Sequence, residues 1–478
     1  MKAKKGEITV FLSLVLVILI SILCSVIEAA RTNGIQFQTE CVADMAIQSA
    51  LAEYNRELLE QYDLFFVDTG YGTKETGYIL LEEHLRNYME KNFQIEKGIF
   101  SVNYKDLLQI SADCAVILEA AGAADGGGEV IERKAVDYML DKYGLLDLSE
   151  IRHVSNTVEA EGFLSSTMEE ERAKNERAIR KVDTSVTDKD GKKHKIAIDN
   201  PADNVNSRRG SSGILTAVTK EKGISDKETN LKDYISHRAY EEKDGFLLGE
   251  KEVTIVEDLL FQKYLMEKCG YYTKKKEGSC LDYQMEYILA GKSSDRENLK
   301  TVVNRLLILR ETANFLYLLT DSSKKAEAEA LAMTLAAVIL FPELKDLIKL
   351  SILIAWAYAE SVNDVKILLE GGKVPLGKDS MSWNMSLKNA MKLELVGEKA
   401  GLKQGLTYEQ YLHTMLAVMK REERNLRFMD IVEMDIRQTP GNQNFCMNHC
   451  IHCFTAEMTV HSERGHSYQI TRTVGYLK

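Results

Sequence analysis

The longest hydrophobic pattern in the chain is an unbroken apolar run at its start, from Ile8 to Ile27. About 20 residues at ~1.5 Å each give roughly 30 Å, which is the thickness of the hydrocarbon layer of a bilayer. The run therefore predicts a transmembrane helix at 8–27. The residues that define this membrane anchor are Ile8, Phe11, Leu16, Ile20 and Ile27.

The charges beside this run set the expected orientation. Lys2, Lys4 and Lys5 lie in a basic leader at 1–7. Because positive charges stay on the cytoplasmic side, we expect a cytoplasmic amino terminus and an extracellular bulk, in a single-pass protein of the cell membrane. A buried core helix rarely runs this long without a charge, and a cleaved secretory signal has a shorter apolar region followed by small residues. The pattern favours an uncleaved anchor over these two alternatives.

Helical spacing continues beyond the run. Residues 28–62 lack proline, and apolar residues such as Val42, Met45 and Ala46 recur three and four apart, which predicts a helical stalk. Residues 63–150 then predict a small α/β region. Its predicted elements are a helix at 77–92, strands at Gly98–Tyr104 and Leu108–Glu119, a flexible turn at Gly126–Gly128 and a helix at Glu129–Tyr143.

The rest of the chain changes pattern twice. Residues 151–215 are charged and poor in aromatics, which predicts a linker and the best domain boundary. Residues 216–437 show the helical period throughout and predict a bundle. Within it, 330–357 is apolar enough to suggest a second span, but Pro342 and nearby charges favour a buried helical hairpin. Residues 438–478 alternate around a turn and predict a β-hairpin at the carboxyl end.

These elements predict a helix-rich α+β fold, with a long transmembrane and stalk helix, a small antiparallel sheet, a helical bundle and a closing hairpin. The composition adds that the chain can bury a core, since 45% of its 478 residues are hydrophobic and 28% are charged. Four prolines argue against a proline-rich stalk. The net charge of −11 makes nucleic acid an unexpected partner.

The sharpest chemical motif is the cysteine group Cys446, Cys450 and Cys453, with His449 and His452 between them. The spacing C-x3-C-x2-C is that of radical-SAM enzymes, and the histidines would also suit zinc. A radical-SAM motif belongs near the start of a βα barrel, whereas only 25 residues follow this one. We therefore expect no cofactor, and keep these cysteines as weak metal candidates.

Two further residue pairs could carry function. Cys269 and Cys280 flank a ten-residue loop that an oxidising exterior could close as a disulfide. Glu360 and Asp364 lie one helical turn apart, a spacing that could bind Ca²⁺ or supply an acid and a base. Such a pair more often partners a nearby lysine or arginine, and no catalytic residue is predicted.

Several segments resemble a known family. The start of the chain, then LDYQMEYILAGKSSDRENLK, RLLILRETANFLYLLTD and EMDIRQTPGNQNF, are similar to a domain of unknown function in single-anchor envelope proteins of Clostridia and related Gram-positive bacteria. The stretch from Arg31 to Ala50 resembles minor pseudopilins of the TadE/TadG kind. That resemblance implies processing after Gly6, before Glu7, although Phe11 stands where pilins usually carry Glu.

The resemblance implies a non-enzymatic, extracytoplasmic component of a Tad-pilus or type II secretion-like envelope system. Its expected partners are the bilayer, through 8–27, and other envelope, pilus or secretion proteins. Two alternatives stay open: an exported cell-envelope enzyme, and a metal or redox protein that uses the cysteines at 446–453.

Overall fold

The fold is taken from a computed structural model of the full chain. It describes residues 4–93, 108–144, 170–182, 185–187, 193–195, 200, 202–209, 212–219, 223–240, 243, 254–338, 341–396, 405–462, 465 and 467–476. The chain forms two compact units. Unit 1 comprises Met1–Lys134, Ala239–Lys251 and Ile436–Lys478, and unit 2 comprises Ala135–Arg238 and Glu252–Asp435.

Helices dominate the described chain. In chain order they are α1 Lys4–Leu51, α2 Arg56–Tyr62, α3 Ile79–Phe93, α4 Asp125–Tyr143, α5 over 170–181, α6 Ala202–Asn206, α7 Ser212–Val218, α8 Ile255–Lys268, α9 Gln284–Ala290, α10 Asp295–Thr320, α11 Ser322–Val338, α12 Lys345–Leu369, α13 Leu387–Lys392, α14 Tyr408–Ala417 and α15 Arg421–Ile436. The strands are β1 Val67–Asp68, β2 Ile110–Gly122, β3 Ser185–Thr187, β4 Lys193–Lys195, β5 Cys450–Ser462 and β6 Ser467–Gly475. The predicted helix-rich α+β class is confirmed.

Unit 1 is built on an antiparallel sheet whose central strand comes from the end of the chain. β5 pairs with β2 on one side and with β6 and β1 on the other. It is buried along almost its whole length, as a strand with neighbours on both sides should be. The hairpin predicted at the carboxyl end is therefore present as β5 and β6, and it pairs with the early strands.

The long helix α1 has two different halves. Its first half, through Ile27, is exposed, whereas beyond it Ile35, Val42, Ala46 and Leu51 are buried at helical spacing. This buried stripe packs on α3 and β6, and joins a core cluster that includes Phe454 and Met458 of β5. Burying such side chains stabilises a fold by about 1.5–3 kcal/mol each, so the second half of α1 is part of unit 1's core.

The predicted helical stalk at 28–62 differs from the structure in one respect, because α1 ends at Leu51. Asn55 adopts an extended backbone and its side chain accepts a hydrogen bond from the backbone N of Leu58 at 3.0 Å. Asparagine is a preferred residue at this helix-capping position, so a new helix, α2, starts here.

The other local predictions for unit 1 have mixed outcomes. The strand predicted at Leu108–Glu119 corresponds to β2, while the one at Gly98–Tyr104 lies outside the described residues. Gly126–Gly128 all have positive φ angles, between 62° and 84°, which a side chain would resist. The glycine tract is thus a left-handed turn before a helix, as predicted.

Unit 2 is organised around α12, which packs against α10 and α11. Most residues of α12 are buried on every side, including Trp356, as expected of a helix that is apolar all round and lies in a protein core. The helices predicted at 330–357 are present as α11 and α12. Only α12 is buried as expected, whereas α11 keeps Met333 and Val338 exposed. The described parts of 151–215 form α5, the paired strands β3 and β4, α6 and the start of α7, which belong to unit 2.

Two glycines of unit 1 allow the effect of backbone strain on stability to be compared with that of a steric clash. Both Gly72 and Gly77 have positive φ angles, of 72° and 87°. A Cβ at Gly72 would lie 2.3 Å from the carbonyl oxygen of Gly441, whereas one at Gly77 would meet no atom of the described chain within 4 Å.

We expect Gly77→Ala to lower the free energy of unfolding by about 1–2 kcal/mol, the usual strain of a left-handed residue. Gly72→Ala should lower it further, because the Gly441 carbonyl must also move. Urea denaturation of both variants in detergent, monitored by circular dichroism, measures the two free energies of unfolding. Equal losses in the two variants would contradict the close approach of Gly72 to Gly441.

Candidate functional site

The apolar first half of α1 is the most distinctive surface of the molecule. Ile8, Phe11, Leu16, Ile20 and Ile27 are between 51% and 66% exposed. Within the described residues, α1 is the one helix that is long and apolar enough to cross a membrane. Its structure is therefore compatible with a membrane anchor. Gly6 and Glu7, the predicted processing residues, lie in the first turns of the same helix.

The three cysteines of the 446–453 motif do not share one site. The guanidinium of Arg437 contacts Cys446 Sγ at 3.3 Å, and Cys450 Sγ points to the Cys446 carbonyl oxygen at 3.7 Å. Cys453 Sγ lies 3.8 Å from Nε2 of His452, and burial raises the pKa of Cys453 to about 11. Among the residues that the structure describes, no group of three His, Cys, Asp or Glu side chains could hold a metal ion.

Cys269 and Cys280 carry thiols in the structure, so the suggested disulfide is not part of it. Hydrogen bonds hold this loop instead. The backbone N of Gly270 donates to Gln284 Oε1 at 2.9 Å, and the backbone N of Cys280 donates to Asp435 Oδ1 at 3.0 Å. Burial raises the pKa of Cys269 to about 12, which makes this thiol a poor nucleophile.

Glu360 and Asp364 lie in the core of unit 2 and share a lysine. Lys378 Nζ donates to Glu360 Oε1 and to Asp364 Oδ1, both at 2.7 Å, and all three side chains are almost fully buried. Arg310 Nε donates to Asp364 Oδ2 at 3.2 Å, and Arg310 also reaches the hydroxyl of Tyr411 at 3.0 Å.

The Glu360 carboxylate is further satisfied by two backbone N–H groups, from Asn384 and Met385, at 2.9 and 2.8 Å. These contacts join α10 and α12 to the loop after α12. Such a pairing of two carboxylates with two cations fits a structural clamp, not a calcium site or an acid–base pair. The expectation that these acids partner a lysine or an arginine agrees with this geometry.

Glu286 is a further buried acid of unit 2, and no cation among the described residues pairs with it. Glu286 is fully buried, and its Oε1 accepts the Tyr408 hydroxyl at 2.6 Å and the Tyr272 backbone N at 2.9 Å. Its Oε2 has no hydrogen-bond partner within the described residues. Burial raises the pKa of Glu286 to about 7, because an ionised carboxylate loses its hydration there.

Unit 1 contains a buried amine. Burial lowers the pKa of Lys243 to about 8, and attraction to Cys450, Asp125 and Asp68 offsets only part of the effect. The backbone N of Lys243 donates to Asp125 Oδ1 at 2.7 Å, and its stem passes so close to Gly122 that a Cβ there would lie 3.0 Å from Cδ. This lysine therefore places a positive charge beside the turn that leads from β2 into α4.

Unit 2 also has an open cavity of about 270 Å³ at the start of α15. Ser236 lines it and donates both its backbone N and its hydroxyl to the carboxylate of Asp430. The Tyr287 hydroxyl also donates to Asp430 at 2.6 Å. These three hydrogen bonds join the turn at Ser236 and Tyr287 of α9 to Asp430 of α15. The lining of the cavity, which includes Lys420 and Glu423, carries charges of both signs.

Comparison with known proteins places the chain in a family. A family of unknown function, DUF5702, matches residues 191–462, which is more than half of the chain. The chain belongs to this family. No curated protein and no solved structure matches the chain.

Sequence reasoning found α1, the 446–453 cysteines and the Glu360–Asp364 pair, but it missed Lys378, Glu286 and Lys243. Tyr283 and Tyr287 lie on either side of Glu286 in the chain and indicate a buried setting, but nothing local shows which groups bind its carboxylate. Lys378 lies in the loop after α12, and the fold brings it back to Glu360 and Asp364 of that helix.

Removal of the buried lysine should destabilise unit 2. Lys378→Met leaves Glu360 and Asp364 buried with one cation fewer, and we expect the free energy of unfolding to fall by about 3–5 kcal/mol. The matched control is Lys345→Met, which breaks the exposed pair with Glu329 and should change stability little. Chemical denaturation measures both. Similar small effects would show that the Lys378 cluster contributes no stability.

The Glu286 carboxyl should make stability depend on pH. Its folded pKa of about 7 lies above the unfolded value near 4.5, so the folded state binds the proton more tightly. This contribution is complete below about pH 4.5 and is lost as the pH rises to about 7, with a total of roughly 3 kcal/mol.

Glu286→Gln should remove this dependence, because glutamine is neutral at every pH. Denaturation midpoints of the wild type and the variant should be similar near pH 4, which serves as the internal control, and the wild type should lose stability relative to the variant towards pH 7. Parallel curves across this range would contradict the assignment.

Proposed function

We propose that this chain is a non-enzymatic, membrane-anchored protein that acts as a structural or accessory component of a Tad-pilus or type II secretion-like envelope system. Its amino terminus lies in the cytoplasm, and its two units lie outside the membrane. The proposal takes the anchor as uncleaved and the bilayer as the partner of residues 8–27.

One observation carries the proposal. α1 leaves an apolar segment of bilayer length bare, and its continuation is built into the core of unit 1. A folded unit joined to a span by one uninterrupted helix is held at a fixed distance from the bilayer, which suits a scaffold or an assembly part. The TadE/TadG-like stretch from Arg31 to Ala50 lies in this continuous part.

The buried polar groups support a structural role. Glu360, Asp364 and Asp430 are held by cations, backbone N–H groups or hydroxyls of their own unit. None of these three carboxylates is presented to the cavity as an unsatisfied acid or base. The proposal of a non-enzymatic protein rests on these saturated contacts.

Two measurements test location and partners. Protease added to intact cells should digest the units, and lysine-reactive crosslinking in cells should link the chain to pilus, secretion or other envelope proteins. A protease-resistant bulk in intact cells would refute the orientation, and recovery of no envelope partner would refute the assembly role.

The anchor itself makes a sharper prediction. Leu16→Lys combined with Ile20→Lys places two charges near the centre of the span, each unfavourable by about 3 kcal/mol. We expect the wild type to remain in membranes after alkaline extraction and the double variant to shift into the aqueous fraction. Ile79→Lys, at an equally exposed apolar residue of α3, is the control and should stay with the membranes. A wild-type protein that is extracted by alkali would contradict the anchor.

A further inference from the structure

The cavity at the start of α15 has a rigid frame. Ser236 is fixed in place, because its backbone N and its hydroxyl both donate to the buried carboxylate of Asp430. Arg238, two residues further on, donates through Nη1 to the buried Glu433 Oε2 at 2.7 Å. The short segment that carries His237 is therefore attached to α15 on both sides of this residue, so this wall of the cavity is preformed.

A second wall of the cavity, on α15 itself, is fixed by Arg427. Its Nη1 donates to the carbonyl oxygens of Ile288 and Leu289, at 2.9 and 3.1 Å, and its guanidinium pairs with Glu423. A Cβ at Gly291 would lie 2.7 Å from the guanidinium, so only a glycine leaves room for it there. Arg427 and Glu423 are thus held by contacts within unit 2, and they form a fixed part of the lining.

Three other polar side chains of the lining take no part in holding the fold together. His237, Lys420 and Glu422 are exposed, and in the part of the chain that the structure describes none of their side chains makes a hydrogen bond or an ion pair. They come from two different segments, yet they converge on one cavity of about 270 Å³. Leu426, one helical turn after Glu422, adds a partly buried apolar side chain to the same lining.

The size and the charges of the cavity indicate its class of ligand. Small-molecule sites occupy about 300–1,000 Å³, so a cavity at the lower end of this range suits a small molecule. An anion would face Glu422 and Glu423, and a cation would face Lys420 and Arg427, so part of the lining repels any ligand of a single charge. A dipolar molecule can direct a carboxylate to Lys420 and an ammonium group to Glu422. An aliphatic group of the same molecule can lie against Leu426.

We infer that the cavity at the start of α15 binds a free aliphatic amino acid, with Lys420 as the partner of its carboxylate and Glu422 as the partner of its ammonium group. His237 adds a polar contact from the segment before Arg238. This binding goes beyond the proposed function and does not depend on it, because every residue of the lining belongs to unit 2. It makes unit 2 a receptor for a small molecule.

L-Leucine is the probe for this site. Equilibrium dialysis of the full-length protein in detergent against radiolabelled L-leucine should show saturable binding. 4-Methylpentanoate keeps the carbon skeleton of leucine without its ammonium group, and 3-methylbutylamine keeps it without the carboxylate. Each analogue loses one charge-assisted hydrogen bond, so each should compete at least about tenfold more weakly than unlabelled L-leucine. Equal competition by either analogue, or no saturable binding of L-leucine, would overturn the inference.

Variants that remove one charge locate the site. Lys420→Met and Glu422→Gln should each weaken the binding of L-leucine about tenfold, since each removes one charged partner. Lys388→Met and Glu277→Gln are the matched controls, at exposed residues of unit 2 outside the cavity, and should bind L-leucine as the wild type does. All four side chains are exposed, so the variants should fold, which circular dichroism checks. Equal losses in all four variants, or none in Lys420→Met and Glu422→Gln, would contradict the assignment of the site.

The outcomes separate this site from the proposed function. A chain that stays in the membrane and crosslinks to envelope proteins, but does not bind L-leucine, overturns the site and leaves the function standing. Binding of L-leucine that Lys420→Met and Glu422→Gln weaken, and that Lys388→Met and Glu277→Gln retain, supports the site even if the protein is extracted from membranes by alkali or no secretion partner is found.

Discussion

The burial of the second half of α1 against the sheet of unit 1 is the contact on which the rest of the structure depends. The helix presents Ile35, Val42 and Ala46 to α3 and β6, and it cannot shift along its axis without exposing them. Whatever holds the first half of α1 therefore holds unit 1 as well. A flexible tether would uncouple the two, whereas a continuous 48-residue helix transmits position and rotation.

In unit 2 the corresponding interaction is a cluster of buried ion pairs. The central helix of unit 2, α12, is buried along most of its length and carries two buried carboxylates, which are paired with Arg310 and Lys378. Buried ion pairs of this kind add little net stability but penalise any packing that separates the partners. They select one arrangement of α10, α12 and the following loop. Glu286 is held differently, by the Tyr408 hydroxyl and the Tyr272 backbone N, and its burial raises its pKa to about 7.

The sequence was sufficient wherever one segment determined its own structure. The apolar run predicted α1, the glycine tract predicted the turn before α4, and alternation predicted the hairpin of β5 and β6. The break after Leu51 was also readable, since Asn55 is a good helix cap, but the apolar period across it concealed the signal. The partners of β5 and Lys378 were not predictable, because strand order and ion pairing depend on residues that are distant in the chain.

The candidate sites also differ in how far their local sequence predicted them. The spacing of Cys446, Cys450 and Cys453 suggested a shared ligand set, yet a short 3₁₀ turn and the start of β5 send their sulfur atoms to different neighbours. Residue type and spacing thus indicated a chemistry that the backbone does not assemble. Glu286 shows the converse, since the burial that raises its pKa comes from the packing of α9 against elements such as α10 and α14, which no local pattern connects.

The central position of β5 has a consequence for biogenesis. Its residues, Cys450–Ser462, are synthesised long after β1 and β2, yet these two strands complete their ladder only with them. The early strands must therefore remain without β5 while more than three hundred further residues are synthesised. The intervening segments of unit 2 have time to fold during that interval, so the sheet of unit 1 is completed late, when β5 pairs with β1 and β2.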